Sequence, residues 1–341
     1  MTIKQRLAVA ASVVALGGGA IAAQKIQING AGATFPNPIY SKWFSEYNKL
    51  KPQVEINYQS IGSGGGIRQI QQRTVFFGAT DGPMTAEQMQ GAPGKILHLP
   101  TVLGAVVPVY NIPGIKQELK FTGQVLADIT LGKITKWNDP AIVKLNAGVT
   151  LPPTDIVVAH RSDGSGTTYI WVDYLSKVSA EFRKTVGVAT SVKWPVGVGG
   201  KGNEGVAGLV SQTPGALGYV ELIYALQNNI SYGSVQNSSG NFVRATIDAV
   251  TAAAAAAANQ MPEDFRVSIT NPPGKDAYPI ASFTWLLLYE APQDKAQGKI
   301  MVEFVQWALT DGQKFAKELG YAPLPKAVVD MELKALQKIK L

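Results

Sequence analysis

Residues 155–178, DIVVAHRSDGSGTTYIWVDYLSKV, contain the pattern that decides the fold class. Residues 155–159, DIVVA, predict a largely buried strand, and residues 161–167 are rich in glycine and hydroxyl groups. Apolar side chains then recur at the spacing of one helix face, at Ile170, Trp171, Tyr174, Leu175 and Val178. A strand, a glycine-rich turn and an amphipathic helix in succession are typical of α/β proteins.

The same alternation extends along the whole chain of 341 residues. Residues 54–58, VEINY, alternate as in a strand, and the seven alanines at 252–258 favour a helix. No internal repeat and no long linker separates two domains, so two lobes would be joined by extended segments, for which 99–108 and 279–288 are candidates. Apolar spacing predicts two further helix faces: Ile39, Tyr40, Trp43, Phe44 and Tyr47, and Met301, Phe304, Val305, Ala308 and Leu309.

The first 23 residues, MTIKQRLAVAASVVALGGGAIAA, have the features of a secretory signal peptide. Lys4 and Arg6 form a basic start, an apolar run follows at 7–16, and Ala20 and Ala22 are small residues of the kind that a signal peptidase reads. An apolar run of this length is too short to span a bilayer, which disfavours a membrane anchor. We therefore expect residues 1–23 to be removed and the remaining chain to be a soluble periplasmic protein.

The composition excludes several kinds of site. The chain has no cysteine, which excludes disulfides, thiolate metal sites and a lipid anchor attached through cysteine. His98 and His160 are the two histidines, so a multi-histidine metal centre is not expected. No cofactor is expected either. The formal net charge is +7, and loss of Lys4 and Arg6 with the signal would leave 7 − 2 = +5, a modest excess that would help to attract an anion. Because the basic residues are scattered along the chain, nucleic-acid binding is disfavoured.

Three glycine-rich segments each directly precede a predicted helix: the first at 30–36 (GAGATFP), the second at 62–66 (GSGGG) and the third at 161–167 (RSDGSGT). The N–H groups of a first helical turn have no partner within the helix, and glycine lets a ligand approach them closely. One such segment alone is more often an ordinary loop with an N-cap. Three together, one of them with Arg161, indicate a buried site for a tetrahedral oxyanion.

Asp81 is a fourth candidate, because it follows the strand-like residues 75–77 and precedes a turn. From local sequence alone, the simpler interpretation is a turn residue that caps the segment starting at Thr85.

Enzyme and dinucleotide motifs fail at the same segments. Ser165 does not match the nucleophile motif G-x-S-x-G, because Asp163 and Thr167 occupy its glycine positions. Residues 197–202, GVGGKG, match G-x-G-x-x-G, but no convincing strand precedes them, so dinucleotide binding is disfavoured. Asn203 is interpreted as the N-cap of the following helix.

Long ordered stretches of the chain resemble the phosphate-binding proteins of bacterial phosphate ABC transporters. The resemblance implies a type II periplasmic binding protein fold, an α/β fold of two lobes joined by a two-strand hinge, with the ligand in the cleft between them. The implied lobes are residues 24–102 with 279–341, and residues 103–278. The resemblance runs from about residue 28 to 329 and is carried by GAGATFPNPIYSKW (30–43), IGSGGGIRQI (61–70), FGATDGP (77–83), LADITLGKITKWNDPAI (126–142), RSDGSGTT (161–168) and WPVGVGGKGNEGVAGLVSQTPGALGYVE (194–221).

The resemblance also implies the ligand, the partners and the site. The partners would be inorganic phosphate and the membrane permease and ATPase subunits of the transporter, with the receptor itself a monomer. No residue is expected to be catalytic, and Asp163 would pair with the arginine of the site. Carried over position by position, the ligand contacts fall on Thr34, the backbone N–H of Phe35, Ser63, Asp81, Arg161, Ser165, Gly166 and Thr167.

Asp81 would then select the ligand. An ionised carboxylate only accepts hydrogen bonds, so it requires a ligand that carries a proton, as phosphate does near neutral pH and sulfate does not. Two alternatives stay open at this point. One is a secreted phosphatase or esterase on the same lobes, for which neither His98 nor His160 offers a convincing base. The other is a receptor for another oxyanion, such as sulfate or molybdate, which Asp81 disfavours.

Overall fold

The computed structural model describes residues 25–257 and 261–341. The predicted signal peptide, at residues 1–23, and the last alanine of the run, Ala258, lie outside the described residues. Within them, no helix combines the length and the apolar character that crossing a bilayer requires.

The described residues form a mixed α/β fold, which confirms the predicted fold class. The strands are β1 (Ile26–Gly32), β2 (Val54–Ser60), β3 (Phe77–Thr80), β4 (Ile96–Tyr110), β5 (Lys120–Phe121), β6 (Val157–Arg161), β7 (Val198–Gly200), β8 (Ala216–Glu221), β9 (Ser231–Tyr232), β10 (Ser234–Gln236), β11 (Phe242–Val243) and β12 (Ala281–Tyr289).

Helices connect most of these strands. They are α1 (Asn37–Leu50), α2 (Ser63–Gln71), α3 (Ala86–Gln90), α4 (Gly123–Thr130), α5 (Pro140–Leu145), α6 (Gly166–Val178), α7 (Ala180–Thr185), α8 (Gly202–Gln212), α9 (Leu222–Gln227), α10 (Ile247–Ala257), α11 (Lys295–Leu309), α12 (Lys314–Glu318) and α13 (Lys326–Leu336), with a 3₁₀ turn at Asp311–Gln313.

One mixed sheet holds nine of the strands, in the order β2-β1-β3-β12-β4-β8-β6-β7, with β9 beside β4. The pairs β1–β2, β1–β3, β6–β7 and β6–β8 are parallel, whereas β12 and β4 run antiparallel to their neighbours. β4 divides the sheet, because residues 96–105 pair with β12 and residues 106–110 pair with β8. We call β2, β1, β3 and β12 the first half-sheet, and β8, β6 and β7 the second half-sheet.

The long strands β4 and β12 cover most of the stretches predicted to connect two lobes, and residues 96–105 of β4 pair with the whole of β12. Every residue of β12 is buried, as is nearly every residue of β4. Such uniformly buried strands lie at the centre of a sheet that is covered on both faces. A small second sheet, β11-β10-β5, lies outside this path.

Helix α1 forms because its apolar side chains fall on one face, and all five residues predicted for that face are buried. Trp43 Nε1 donates to the Gly312 carbonyl at 2.8 Å. The ring of Phe44 lies 5.3 Å from that of Phe304 on α11. The two ends of the described chain therefore pack into one core in the first half-sheet.

Four local predictions were wrong. Helix α2 begins at Ser63 and α6 at Gly166, so the second and third glycine-rich segments run into their helices instead of ending before them. β6 begins at Val157, two residues later than predicted. Asn203 is not an N-cap but lies inside α8, for which Lys201 occupies the cap position. Glycine lowers helix propensity, so local pattern alone places such helix starts too late.

The glycines of α2 are explained by close packing on β1. A Cβ placed on Gly66 would lie 2.5 Å from Gly32 Cα and 2.7 Å from the Ala31 carbonyl oxygen. These are backbone atoms of a central strand, which cannot move aside without disturbing the sheet. The first turn of α2 can therefore approach the end of β1 only because it has no side chain at this position.

Replacing Gly66 with alanine is expected to lower the free energy of unfolding by roughly 1–3 kcal/mol, because the added methyl forces α2 away from β1. Gly208, in α8, is the matched control, since nothing lies within 4 Å of a Cβ placed there. Gly208→Ala should instead raise stability by up to about 1 kcal/mol through helix propensity. Urea denaturation measures both, and equal effects of the two substitutions would contradict the close packing of α2.

Candidate functional site

The second and third glycine-rich segments meet where the two half-sheets join. Ser63 Oγ accepts the N–H of Asp81 at 3.2 Å and the N–H of Gly166 at 3.0 Å. Asp81 follows β3 of the first half-sheet, and Gly166 begins α6, which follows β6 of the second half-sheet. One buried hydroxyl therefore contacts segments that adjoin both half-sheets. A second contact joins the segments directly, since the Gly64 N–H donates to the Gly164 carbonyl at 2.9 Å.

Arg161, the last residue of β6, provides the positive charge and is only 3% exposed. Its Nε and Nη2 donate to the two oxygens of Asp163 at 2.7 and 2.6 Å, and its Nη1 donates to Thr167 Oγ1 at 3.3 Å. Burial alone raises the pKa of Asp163, but the hydrogen bonds and charge of Arg161 outweigh burial and hold that pKa below its ordinary value. The bidentate pair therefore fixes the plane of the guanidinium.

Asp81 brings a carboxyl group to the same place and is 1% exposed. Its Oδ1 accepts from Thr284 Oγ1 at 2.8 Å, and its Oδ2 lies 3.4 Å from Ser63 Oγ. A Cβ placed on Gly166 would lie 2.6 Å from Oδ2, so the carboxyl faces the third glycine-rich segment. Burial raises the pKa of Asp81 to about 7, against the opposing hydrogen bond from Thr284 and the charge of Arg161.

The simpler interpretation of Asp81, as a cap for the segment at Thr85, was wrong. Helix α3 is capped reciprocally by its own residues: Thr85 Oγ1 accepts the Gln88 N–H at 3.2 Å, and Gln88 Oε1 accepts the Thr85 N–H at 2.9 Å. The carboxyl of Asp81 takes no part in this capping box and is directed to the site instead.

A raised pKa at Asp81 predicts that stability falls with rising pH. The unfolded chain releases the proton of Asp81 near pH 3.8, whereas the folded protein holds it until about pH 7. The stabilisation that comes from this bound proton is therefore fully present below about pH 4 and is lost as the pH rises to about 7. We expect ligand-stripped wild type to lose on the order of a few kcal/mol more than Asp81→Asn between pH 4 and pH 8.

Urea denaturation of the two proteins across this range measures the difference. Glu221 and Glu332 are also buried with raised pKa values and are present in both proteins, so the effect of their burial cancels in the comparison. The charge of Asp81 contributes to the raised pKa of Glu221, so the measured difference includes this coupling. Parallel pH profiles for wild type and Asp81→Asn would show that the Asp81 carboxyl is not held neutral by burial.

The first glycine-rich segment adds Thr34 and Phe35, in the turn between β1 and α1. Thr34 Oγ1 accepts from Asn203 Nδ2 at 2.7 Å and from the Asn203 N–H at 3.2 Å. The Tyr321 hydroxyl donates to the Phe35 carbonyl at 2.6 Å and holds the turn in place. Within the described part of the chain, the Phe35 N–H donates to no other atom. This buried donor is therefore available to an anion.

Ser165 and Thr167 lie at the N-terminus of α6. Ser165 is the N-cap, and its Oγ accepts the Thr168 N–H at 3.0 Å. Both side chains are fully buried. The partial positive charge of the helix N-terminus adds to the charge of Arg161. All eight residues that the resemblance implies as ligand contacts thus converge, although the Gly166 N–H is directed to Ser63 in this structure.

Within the described residues, neither histidine is hydrogen-bonded to a serine of the site. His98 Nε2 accepts the Met84 N–H at 3.1 Å, and burial lowers the pKa of His98 to about 3. His160 stacks on Trp194, with ring centroids 5.0 Å apart. Among the described residues, no group of three or more acidic or histidine side chains is arranged to hold a metal ion.

Two residues that contact this site were missed by the sequence analysis as parts of it. Thr284, in the middle of β12, reaches Asp81 from 203 residues away in sequence, and it carried no local signal. Asn203 was noticed, but only as a helix cap. The signal that could have identified it is its position after a glycine-rich stretch, since the segment at 197–202 leads into α8 as the other three segments lead into their helices.

Comparisons with known proteins agree with one another. A model of the PBP superfamily domain matches residues 18–311. The phosphate-binding protein PstS of Pasteurella multocida is 49% identical over 311 residues, which cover 91% of this chain and 90% of that protein. The phosphate-binding protein PstS of Methanocaldococcus jannaschii is 38% identical over 339 residues, which cover 92% and 87%.

Solved structures show the same architecture. A high-affinity periplasmic phosphate-binding protein, solved with bound phosphate, has a TM-score of 0.73 at 22% identity, over 89% of this chain and 92% of that chain. A phosphate-binding protein from Stenotrophomonas maltophilia has a TM-score of 0.70 at 18% identity, over 91% and 93%. The chain therefore has the two-lobed periplasmic binding protein fold that its sequence predicted.

Proposed function

Because the chain belongs to the PstS family of phosphate-binding proteins, we propose that it captures inorganic phosphate in the periplasm and delivers it to the permease of an ABC transporter. The observation that carries this proposal is the convergence of Arg161, the buried N–H and hydroxyl groups and one carboxyl, Asp81, at the junction of the half-sheets. This set of groups matches a small tetrahedral anion that still carries a proton.

Donors outnumber acceptors at the site, as a buried anion requires. An anion removed from water is costly unless nearly every oxygen accepts a hydrogen bond. The proposed donors are Arg161 and the N–H of Phe35, with hydroxyl groups from Thr34, Ser63 and Thr167. Each charge-assisted bond contributes about 1.5–3 kcal/mol, so a few of them support tight binding without a cluster of lysines. Ser165 and the Gly166 N–H complete the proposed set.

Asp81 is proposed to read the proton of the ligand. Near neutral pH phosphate carries at least one hydrogen that the carboxylate can accept. Fully ionised sulfate and molybdate would place an acceptor against an acceptor, with like charges in contact. The alternative of a receptor for a non-protonated oxyanion is disfavoured for this reason.

We propose further that the protein is a receptor and not an enzyme. A phosphatase or esterase would need an activated nucleophile, and within the described residues neither candidate base is hydrogen-bonded to a serine: His98 Nε2 accepts the Met84 N–H, and His160 Nδ1 lies 3.1 Å from the Arg161 carbonyl oxygen. Ser165 Oγ is engaged as a helix cap. A chromogenic phosphate ester left unhydrolysed by purified protein would agree with this proposal, and turnover that Ser165→Ala abolishes would overturn it.

The lobes are proposed to be residues 24–102 with 279–341, and residues 103–278. The path of the large sheet supports this division, since β4 pairs with β12 of the first half-sheet up to Ala105 and with β8 of the second half-sheet from Val106. Closure of the lobes on phosphate should make the molecule more compact. Small-angle scattering with and without phosphate measures this, and identical profiles would argue against closure.

The proposed setting follows from the family and the N-terminal sequence. We propose that residues 1–23 are a cleaved signal and that the mature protein works as a monomer. In this setting its proposed partners are the membrane permease and ATPase subunits of the transporter. Mass spectrometry of the protein from a periplasmic extract tests the cleavage.

The direct test of the function is titration calorimetry of the mature protein, stripped of ligand by partial unfolding and dialysis. We expect saturable binding of one phosphate per chain. If the protein unfolds cooperatively, and is therefore folded, but the titration gives only heats of dilution, the proposal is overturned.

A further inference from the structure

Asn203 occupies a central position between the first and third glycine-rich segments. It is the second residue of α8 and is fully buried. Its Nδ2 donates to Thr34 Oγ1 at 2.7 Å and to Thr167 Oγ1 at 3.1 Å, while its own N–H also donates to Thr34 Oγ1 at 3.2 Å. Thr34 precedes α1 and Thr167 lies in the first turn of α6, so a single amide connects hydroxyls from both half-sheets.

The orientation of this amide is fixed by its other end. Asn203 Oδ1 accepts the Glu221 N–H at 2.9 Å. A backbone N–H can only donate, so the atom that faces it must be the amide oxygen. The NH₂ group therefore faces Thr34 and Thr167, and the assignment does not depend on an arbitrary choice between oxygen and nitrogen.

The amide in turn fixes the direction of both hydroxyl protons. A hydroxyl oxygen has two lone pairs and one proton. Thr34 Oγ1 accepts twice from Asn203, and Thr167 Oγ1 accepts once from Asn203 and once, at 3.3 Å, from Arg161 Nη1. With both lone pairs engaged, each hydroxyl can contribute only its proton to a further partner. Two groups that could either donate or accept are thereby made donors.

We propose that Asn203 is a positioning residue of the phosphate site, which orients the hydroxyls of Thr34 and Thr167 as hydrogen-bond donors to the anion. This inference rests on the proposed function, and it adds a source of specificity to it. Asp81 is the acceptor of the site, and Asn203 ensures that two further groups cannot act as acceptors. The ligand must then present bare oxygens at Thr34 and Thr167 and its proton at Asp81.

Two substitutions of Asn203 separate orientation from mere space filling. Asn203→Asp keeps the size of the side chain, but its carboxylate accepts the hydroxyl protons and adds a negative charge, so the dissociation constant for phosphate should rise by about a hundredfold or more. Asn203→Ala leaves the hydroxyls free to rotate and should raise it by about tenfold. A role in filling space alone predicts the opposite order, because alanine removes more atoms.

A double-mutant cycle separates orientation from charge. In a Thr34→Val background the hydroxyl that Asn203 holds most closely is gone while the side-chain volume is kept. Asn203→Ala should then weaken phosphate binding by less than about threefold, instead of about tenfold. An undiminished effect in the Thr34→Val background would overturn the inference.

Asn146 provides the matched control. It is buried and bonded in the same manner: its Oδ1 accepts the Lys120 N–H, and its Nδ2 donates to the carbonyls of Lys120 and Ile142. Asn146→Ala should lower the unfolding temperature while leaving the dissociation constant for phosphate within about twofold. Calorimetry at pH 8, with thermal unfolding of each ligand-free variant, gives both readouts.

The outcomes distinguish the inference from the function on which it rests. If wild type binds no phosphate, the proposed function fails. If wild type binds phosphate and both Asn203 variants bind it equally well while folded, the inference alone is wrong. If the Asn203 variants do not fold, Thr34→Val with Thr167→Val serves as the second test, since weakening of at least about tenfold is expected from the loss of two oriented donors. Unchanged binding by that double variant would also overturn the inference.

Discussion

Arg161→Ala is expected to raise the dissociation constant for phosphate by at least about a hundredfold, since truncating one member of a buried charge pair costs several kcal/mol. Two effects combine. The anion loses the guanidinium, and Asp163 is left as a largely buried carboxylate, with a side chain only 12% exposed, whose partner is gone and whose charge repels phosphate. Calorimetric titration of the ligand-stripped variant measures the change.

Two comparisons make the Arg161 result specific. Arg161→Lys keeps the charge but not the planar fork, so its affinity should lie between those of wild type and Arg161→Ala. Arg244 is paired with Glu118 at the surface, and Arg244→Ala should leave binding unchanged. If Arg161→Ala binds phosphate as tightly as Arg244→Ala does, Arg161 is not the residue that supplies the positive charge of the phosphate site.

Asp81→Asn is expected to bind sulfate. The wild-type protein should bind sulfate at least about a thousandfold more weakly than phosphate, because the Asp81 carboxylate and a sulfate oxygen are both acceptors and would face each other unpaired. The amide can turn its NH₂ group to a sulfate oxygen and removes a negative charge from the site. Thr284 can still donate to the amide oxygen, so the local structure should be retained. Competition of sulfate with phosphate, followed by calorimetry, measures the selectivity.

Asp163→Asn tests whether charge alone explains this result. It removes a negative charge close to Arg161, but its carboxyl is bound to the guanidinium and to the Gly202 N–H. We expect weaker phosphate binding and no gain of sulfate binding. Equal sulfate binding by the Asp81 and Asp163 variants would show that the selectivity depends on the net negative charge of the site and not on the acceptor role of Asp81.

The raised pKa of Asp81 adds a pH dependence to the selectivity. Burial places this pKa at about 7 in the ligand-free protein, so a fraction of the carboxyl groups is protonated below neutrality. A protonated carboxyl can donate to sulfate, so rejection of sulfate should be strongest above pH 7 and weaker at pH 5.

The parts of the fold that depend on periodic burial could be predicted from the sequence. The five apolar residues of α1 and the five of α11 are all buried, because a stripe of apolar side chains has one stable arrangement on a helix that packs against a sheet. The long apolar stretches were predicted to be extended segments, and β4 and β12 are strands that are buried along nearly all of their length.

The site could be predicted only in part. Local pattern indicated three anion-binding segments, whereas the role of Asp81 came from family resemblance and its local pattern suggested a turn cap. The glycine-rich stretch at 197–202 could have placed Asn203 near the site, but its hydrogen bond to the Glu221 N–H, 18 residues later, depends on the assembled fold. Thr284 and Asp81 meet through pairing of β12 with β3, a contact that depends on the assembled sheet.

The most direct measurement is calorimetric titration of the ligand-stripped wild type with phosphate and with sulfate, each at pH 8 and at constant ionic strength. The structure predicts saturable binding of phosphate and no detectable heat of binding for sulfate. Comparable affinity for the two anions would contradict the central claim. That claim is that the Asp81 carboxylate, the one acceptor among donor groups, allows only a protonated anion to bind.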